Sequence, residues 1–312
     1  MSRKVLVAVD AGGSKTEYAI RSLSGGDVRH YVYGGSNYKS VGLERAYENL
    51  VASFHTTCEV EGLSLEDIQG AVFGLAGCDT SEDMRVFREL VGAIGLASEK
   101  AAIYNDCELA FLAAAKAPGF CVVVGTGSNC MAFHPNRPVV KAGGLGALLS
   151  DGGSGFWIAQ QVMRDMLMFC DGSGANRPVY AGIARHFGIA EDFSDVHLKF
   201  APMGVPDIAS CARVILEYAE EGDAYAREIV HNAHLELWQL VTTAIGRMGY
   251  VPEETLQVVL NGSLFKNEWF LQQFWEGLTQ RLPNRLERHL VTANTSENGM
   301  RLAESLYGET GN

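Results

Sequence analysis

Val5-Leu6-Val7-Ala8-Val9-Asp10-Ala11-Gly12-Gly13-Ser14-Lys15-Thr16-Glu17-Tyr18-Ala19-Ile20-Arg21-Ser22 is the stretch that decides the fold. Val5 to Val9 is continuously apolar and valine-rich, the pattern of a buried central strand ending at Asp10. Gly12 and Gly13 turn the chain, and Glu17 to Ser22 alternates as a returning strand. After Gly25-Gly26-Asp27, Val28 to Tyr33 completes a three-strand meander. Glycines permit positive φ and close backbone approach, so several N–H groups can converge on one phosphate. A carboxylate at the mouth of the turn, Asp10, would repel phosphate unless a divalent cation stood between them, and Mg²⁺ is the natural one. The same glycines could equally do no more than join two strands.

Further along, Gly42 to Glu61 has helical spacing, with Leu43, Ala46, Tyr47, Leu50 and Phe54 on one side. Ile68 to Leu75 reads as a strand. Ser81 to Ile94 reads as a helix with Ser81 as N-cap. Ala101 to Tyr104 is a short strand running into Asn105-Asp106, and Glu108 to Lys116 is a helix closed by Pro118 and Gly119. Then the opening repeats. Phe120 to Val124 is a buried-type strand, Gly125-Thr126-Gly127-Ser128 a glycine turn, and Asn129 to His134 a return. Repetition of strand, glycine turn and strand suggests two related halves. The remainder is mainly helical: Phe156 to Phe169, Ala226 to Arg247 and a terminal helix from Glu297 to Tyr307, with a strand at Val258 to Leu260 ending in Asn261-Gly262-Ser263. The pattern is α/β with a mixed sheet in each half.

A chain of 312 residues suits two domains, at about 100–200 residues each. Net charge −12 argues against nucleic acid or an anionic membrane as partner. The seven cysteines are odd in number and none form C-x-x-C pairs, which disfavours a disulfide scaffold, a zinc ribbon or a cysteine-ligated iron–sulfur centre. Reduced core thiols are a cytoplasmic usage. The first apolar run is too short for a signal-peptide core, and no stretch of about 18 apolar residues exists to span a membrane. Neither glycine turn spells a known helix-opening phosphate motif. Gly13 is followed by Ser14 before Lys15-Thr16, which breaks a Walker loop, and Cys130 stands where a dinucleotide fingerprint needs its third glycine.

Together these segments resemble the actin-like ATPase superfamily of sugar kinases, heat-shock chaperones and actin. Asp10 to Thr16 resembles its first phosphate motif, Gly125-Thr126-Gly127-Ser128 its second, and Val259-Leu260-Asn261-Gly262-Ser263 its adenosine motif. Within it, the chain is most similar to the N-acetylglucosamine kinase and BadF/BadG-type ATPase branch, through Gly125 to Cys130 and Gly143 to Ala159. The resemblance implies two actin-like, ribonuclease H-like domains with mixed sheets flanked by helices and an ATP cleft between them. The domains expected are 1–117 and 118–295, with a terminal helix, about 296–309, packing back on the first. It implies ATP and Mg²⁺ as cofactors, a small-molecule sugar as partner and a homodimer.

Residue by residue, the resemblance assigns ATP to Asp10, Gly12, Gly13, Ser14, Lys15, Thr16, Gly125, Thr126, Gly127, Ser128, Gly262 and Ser263, with Asp10 also at the metal. It makes Asp106 the catalytic base. It gives the sugar to Asn37, Asn105, Asn129, Gly144, Leu145, Gly146 and Asp151. Without it, Asn105-Asp106 reads as a helix N-cap, Asn37 as a turn residue, Asp151 as the cap of the helix beginning near Gly155, and Gly262-Ser263 as an ordinary strand-to-helix turn. The chain departs from the family at Leu145, usually Trp, and Gly152, usually Glu, so the acceptor sugar is left open. An amino sugar phosphorylated by ATP, at the 6-hydroxyl, is the reading implied. The rival is a BadF-type ATPase that switches conformation to activate a protein partner, though no equivalent of that group's bridging cysteines is evident. His231 and His234, three apart on a helix without a third ligand, read as ordinary helical residues. Glu217, Glu220, Glu221 and Asp223 read as a solvated acidic face.

Overall fold

A computed structural model of the chain describes residues 4–13, 15–291 and 295–308. The chain divides into two compact units, Met1–Ala114 with Ala293–Asn312, and Ala115–Thr292. In the first, five strands lie in the order β3-β2-β1-β4-β5. They are β1 (Val5–Ala11), β2 (Lys15–Ser22), β3 (Arg29–Gly34), β4 (Ile68–Leu75) and β5 (Ala101–Asn105). β1 pairs antiparallel with β2 and parallel with β4, so it is central, and Val5 to Val9 are buried as their unbroken apolar run requires.

One face of this sheet packs Val7, Val9, Tyr18 and Phe73 against Phe54, Phe87 and Leu90 from the helices Ser53–Glu61 and Ser81–Gly92. The other packs Leu6, Ala8 and Ala19 against Leu109, Met300 and Ala303 from the helices Asp106–Ala114 and Thr295–Tyr307. Small residues allow the terminal helix to lie close. A Cβ on Gly299 would come 3.0 Å from Ala8 Cβ, and one on Gly70 would collide with the Tyr307 ring.

Two helical expectations change in detail. The segment expected as one helix from Gly42 to Glu61 is Leu43–Tyr47 followed by a wide turn over Glu48–Ala52 and then Ser53–Glu61. The cause is the buried Tyr18 hydroxyl, which bonds to the Leu50 carbonyl and the Ser53 hydroxyl, both at 2.7 Å, and so widens the helical ladder. The helix at Ser81 is capped by Thr80, not Ser81: Thr80 Oγ1 accepts from Asp83 N–H, and Asp83 Oδ2 accepts in return from Thr80 N–H.

In the second unit the order is β10-β9-β6-β7-β8, with β6 (Gly119–Val124), β7 (Ser128–His134), β8 (Arg137–Gly143), β9 (Leu256–Asn261) and β10 (Leu286–Leu290). This is the first sheet's order with β6 in the place of β1. The repetition read from the glycine turns therefore extends to the whole sheet. β8 and β10 carry weak strand signals because both are edges: β8 holds Pro138 and Lys141, and β10 is Leu-Glu-Arg-His-Leu. The long helix Ala224–Met248 packs on β7 and β8.

Close approach at Gly299 yields a test. Gly299→Leu should wedge the terminal helix off the sheet and cost about 1–3 kcal/mol, seen as a lowered midpoint of urea denaturation.

Candidate active site

In the first unit β1, β4 and β5 run parallel, so Asp10, Leu75 and Asn105 end at the same edge of the sheet. Ligands of α/β sheets collect at such carboxyl ends. The β1–β2 turn is fixed from behind. Gly12 N–H donates to the Lys15 carbonyl at 2.9 Å, and the Gly12 carbonyl accepts from Ser36 and Asn37 N–H at 2.9 and 3.0 Å. A trans peptide directs its N–H opposite to its carbonyl, so the Gly13 N–H points away from those donors. Thr16 is buried, its hydroxyl 2.6 Å from Ser36 Oγ. Lys15 spends its ammonium on Glu17 Oε2 at 2.7 Å, which pushes its pKa up. Burial alone would raise Glu17, but its bonds from Lys15, Ser296 and His30 outweigh that and hold it below the usual carboxylate range. Ser14 lies outside the described residues.

Asn37 caps the short helix Tyr38–Val41, its Oδ1 accepting from Lys39 N–H at 3.1 Å, and its side chain lies over Gly77. A Cβ at Gly77 would sit 2.6 Å from Asn37 Nδ2, and φ there is +83°. Asn105 is 3% exposed and saturated by protein. Its Nδ2 donates to the Cys78 carbonyl at 3.1 Å and Asp79 Oδ1 at 3.2 Å, while its Oδ1 accepts from Cys107 N–H at 2.9 Å. These bonds clamp the β4 loop to the β5 terminus. Asp106 follows as the first residue of the helix Asp106–Ala114, its Oδ1 accepting from Cys107 N–H at 2.9 Å. A helix N-terminus favours the ionised carboxylate, which is the form a base needs.

Sequence reasoning missed the residues that organise this edge. Lys39 Nζ lies 2.7 Å from Asp83 Oδ2 and 3.6 Å from Asp79 Oδ2, and Tyr38 also donates to Asp83. Thr80 followed three residues later by Asp83 is a capping signature that could have flagged the loop. Burial pushes the Cys78 thiol up to about 11, so it stays protonated.

In the second unit the β6–β7 turn is bolted to a helix. The Gly125 and Thr126 carbonyls accept from Gly155 and Phe156 N–H, at 2.8 and 3.2 Å, at the start of the helix Gly155–Cys170. By the same peptide geometry the Thr126 and Gly127 N–H groups point outward. Ser128 Oγ donates to the Gly152 carbonyl at 2.8 Å. Gly262 has φ +113°, and a Cβ there would collide with the Val124 carbonyl. This glycine lets β9 turn so that Ser263 Oγ comes 3.7 Å from where a Cβ on Gly125 would lie. Phosphate turn and adenosine motif thus share one wall of a cavity of about 710 Å³. Its other walls include His186, Ser210, Arg213, Leu216 and Asn267, none of them expected from sequence. Arg213, Leu216 and Glu217 recur at helical spacing on Ala212–Glu221, a pattern that could have suggested one lining face.

The helix at Gly155 is capped by Ser154, whose Oγ accepts from Trp157 N–H at 3.2 Å, so the cap reading of Asp151 falls. Asp151 Oδ1 accepts from Gly146 N–H at 3.3 Å. Its Oδ2 lies against Gly127, where any Cβ would strike it. Leu145 is 79% exposed on this loop. Gly144, at φ +70°, lies over Asn129, whose Oδ1 is buried with no hydrogen-bond partner among the described residues. Gly152 faces Glu236 of the helix Ala224–Met248: a Cβ there would be 2.7 Å from Glu236 Oε2. A carboxylate missing from position 152 is thus present beside it from another element. Among the described residues, no group of three or more His, Cys, Asp or Glu is placed to hold a metal. Mg²⁺ held chiefly by nucleotide phosphates needs only one or two carboxylates, and the first unit offers Asp10 near the end of β1.

Comparison with known proteins places residues 7–290 in a single match. The chain belongs to the BadF/BadG/BcrA/BcrD ATPase family. It is 25% identical over 283 residues to the N-acetylmuramic acid/N-acetylglucosamine kinase of Clostridium acetobutylicum, covering 90% of this chain and 92% of that one. It is 24% identical over 282 residues to the N-acetyl-D-glucosamine kinase of Dictyostelium discoideum, covering 87% and 88%. In fold it is similar to the crystal structure of a Chromobacterium violaceum protein assigned as a candidate N-acetylglucosamine kinase, with TM-score 0.71, 20% identity, and 97% and 100% of the two chains covered. In this family member both sheets but for Val5 and Leu6 of β1, the two glycine turns and the β9 turn fall within the matched span.

The acidic edge of the first unit has a pH signature. Burial raises Asp83, but bonds from Lys39, Tyr38 and Thr80 outweigh it and hold the carboxyl well below the usual range. Its contribution to stability is present above the unfolded pKa of about 3.9 and is lost as pH falls further. Asp83→Asn should therefore cost about 1–3 kcal/mol near neutrality and progressively less in acid, measured by urea unfolding across pH.

Proposed function

We propose that the protein transfers the γ-phosphoryl group of ATP to a hydroxyl of an amino sugar, with N-acetylglucosamine the first acceptor and its 6-hydroxyl the first position. The observation that carries this is Asp106, the first residue of the helix Asp106–Ala114, at the same sheet edge as the β1–β2 turn. Near chain-length similarity to kinases that act on N-acetylglucosamine supports the substrate class.

In this reading the outward N–H groups of Gly13, Thr126 and Gly127 bind phosphate oxygens, and the cavity beside Ser263 takes adenosine. Asp106 accepts the acceptor's hydroxyl proton as that oxygen bonds to the γ-phosphorus. The bond from that phosphorus to the β–γ bridging oxygen breaks, and ADP leaves with the oxygen. Asp10 would hold Mg²⁺, directly or through water, and the ion would neutralise charge on the phosphates. Asn37, the orphan acceptor of Asn129, the loop Gly144 to Gly146, Asp151 and Glu236 select the sugar, because an unpaired buried acceptor strongly prefers a ligand that supplies its donor. Lys15 reaches phosphate only by leaving Glu17. A cytoplasmic homodimer belongs to the same reading.

ATP consumption across a panel of N-acetylglucosamine, glucosamine, N-acetylmannosamine and glucose should rise strongly with one amino sugar. Flat hydrolysis across the panel would overturn the kinase reading and favour an ATPase acting on a protein partner. Asp106→Asn should lower kcat by about 10²–10⁴-fold with ATP binding kept. Glu236→Gln should raise KM for the sugar while leaving KM for ATP unchanged.

A further inference from the structure

The second unit contains another cavity, of about 390 Å³, that shares no lining residue with the one beside Ser263. It lies between the helices Ala224–Met248 and Glu268–Arg281 and is lined by Arg227, His231, His234, Trp238, Trp269 and Gln273. His234 is 2% exposed, and its Nε2 has no hydrogen-bond partner among the described residues. Its ring stacks on Trp238 at 5.5 Å and lies 4.3 Å from Phe270. A phenylalanine would fill this aromatic slot without burying an unpaired nitrogen, a burial that costs free energy unless something meets it.

We propose that this cavity is a second ligand site, for a small organic anion that also bears a hydroxyl group. His234 supplies the acceptor for the hydroxyl. Burial holds its pKa down to about 3, so the imidazole is neutral and one ring nitrogen is an acceptor. Charge selects the anion: Arg227 lines the cavity and no carboxylate does, in a chain of net charge −12. Trp269 and Trp238 contribute apolar lining of the kind small-molecule sites use, and the volume is in their range. The site is preformed. Trp238 Nε1 donates to the Phe274 carbonyl at 2.9 Å, Arg281 covers its ring at 3.8 Å, and Gly277 leaves space that any side chain would take from it.

The test uses the full chain with glucose 6-phosphate and citrate as two sources of a hydroxylated anion, and glucose as the neutral control. Tryptophan fluorescence should change saturably with at least one anion, at an affinity tighter than about 1 mM, and not with glucose. Nitrogen-15 spectra of the histidines should show the His234 Nε2 resonance moving with the same dependence. Arg227→Met, at the exposed rim, and His234→Phe should each weaken binding about tenfold or more. Turnover of ATP should be unchanged in both, and without ligand His234→Phe should raise Tm. Absence of saturable binding by either anion, equal binding of glucose, or binding indifferent to Arg227→Met would overturn the proposal, and the last holds even if His234→Phe does not fold.

Discussion

The peptide carbonyls of the two glycine turns face the protein, and much else depends on that. The Gly12 carbonyl is held by the N–H groups of Ser36 and Asn37. The Gly125 and Thr126 carbonyls are held by the first N–H groups of the helix Gly155–Cys170. Planar trans peptides then leave the following N–H groups no choice of direction. Under the proposed function, phosphate affinity would thus come from backbone placed by backbone. This is why a chain of net charge −12 needs no basic surface to bind a polyanion. It is also why Lys15 can remain on Glu17 without emptying the turn of donors.

The two units share a sheet order but divide the chemistry. After β4 the chain turns at Gly77, and after β9 at Gly262, both at positive φ. In the first unit that turn leads to Asp79 and Asp83, and the next strand ends at Asn105 with Asp106 opening the helix after it, so the edge carries carboxylates. In the second the turn leads to Ser263 and an open cavity between helices. The first unit carries its carboxylates along the sheet edge, and the second carries Asp151 and Glu236 on a loop and helix apart from its cavity. A glycine tolerated by the strand-to-loop geometry is the common part, and the residues after it set each half's role.

The sequence made the architecture legible where burial fixed the pattern. Val5 to Val9 and Phe120 to Val124 are central strands because unbroken apolar runs fit nothing else, and the duplicated sheet follows from them. The edges β8 and β10 escaped because an edge strand needs no apolar face and gains from Pro138, Lys141 and the charges of β10. In the site, glycines and single carboxylates stand out by type, but their partners do not. Nothing local in Asn105 says that its amide is consumed by Cys78 and Asp79, and nothing near Thr80 says that Lys39 will reach Asp83. Those pairings join residues far apart in the chain, and the wide turn at Glu48–Ala52 has the same origin in the hydroxyl of Tyr18.

The loop from Gly144 to Gly153 shows how such long-range partners can replace a local residue. Read along the chain, Gly152 is a loss of a carboxylate. In three dimensions it is a vacancy that Glu236 fills, since the bare α-carbon is what allows the long helix to bring Oε2 so near. Gly153 is pressed by the same helix, a Cβ there lying 2.6 Å from the Leu237 side chain, so the loop cannot retreat to admit a side chain at 152. A glutamate restored at position 152 would have to displace Glu236 and would set two like charges beside Asp151. The two positions are therefore sterically exclusive, and in this chain the helix supplies the carboxylate. The helix under Glu236 packs on β7 and β8, so the position of that carboxylate is set by the helix rather than by the loop. Under the proposed function, acceptor selectivity in this chain would thus depend on the register of Ala224–Met248 as much as on the loop sequence itself.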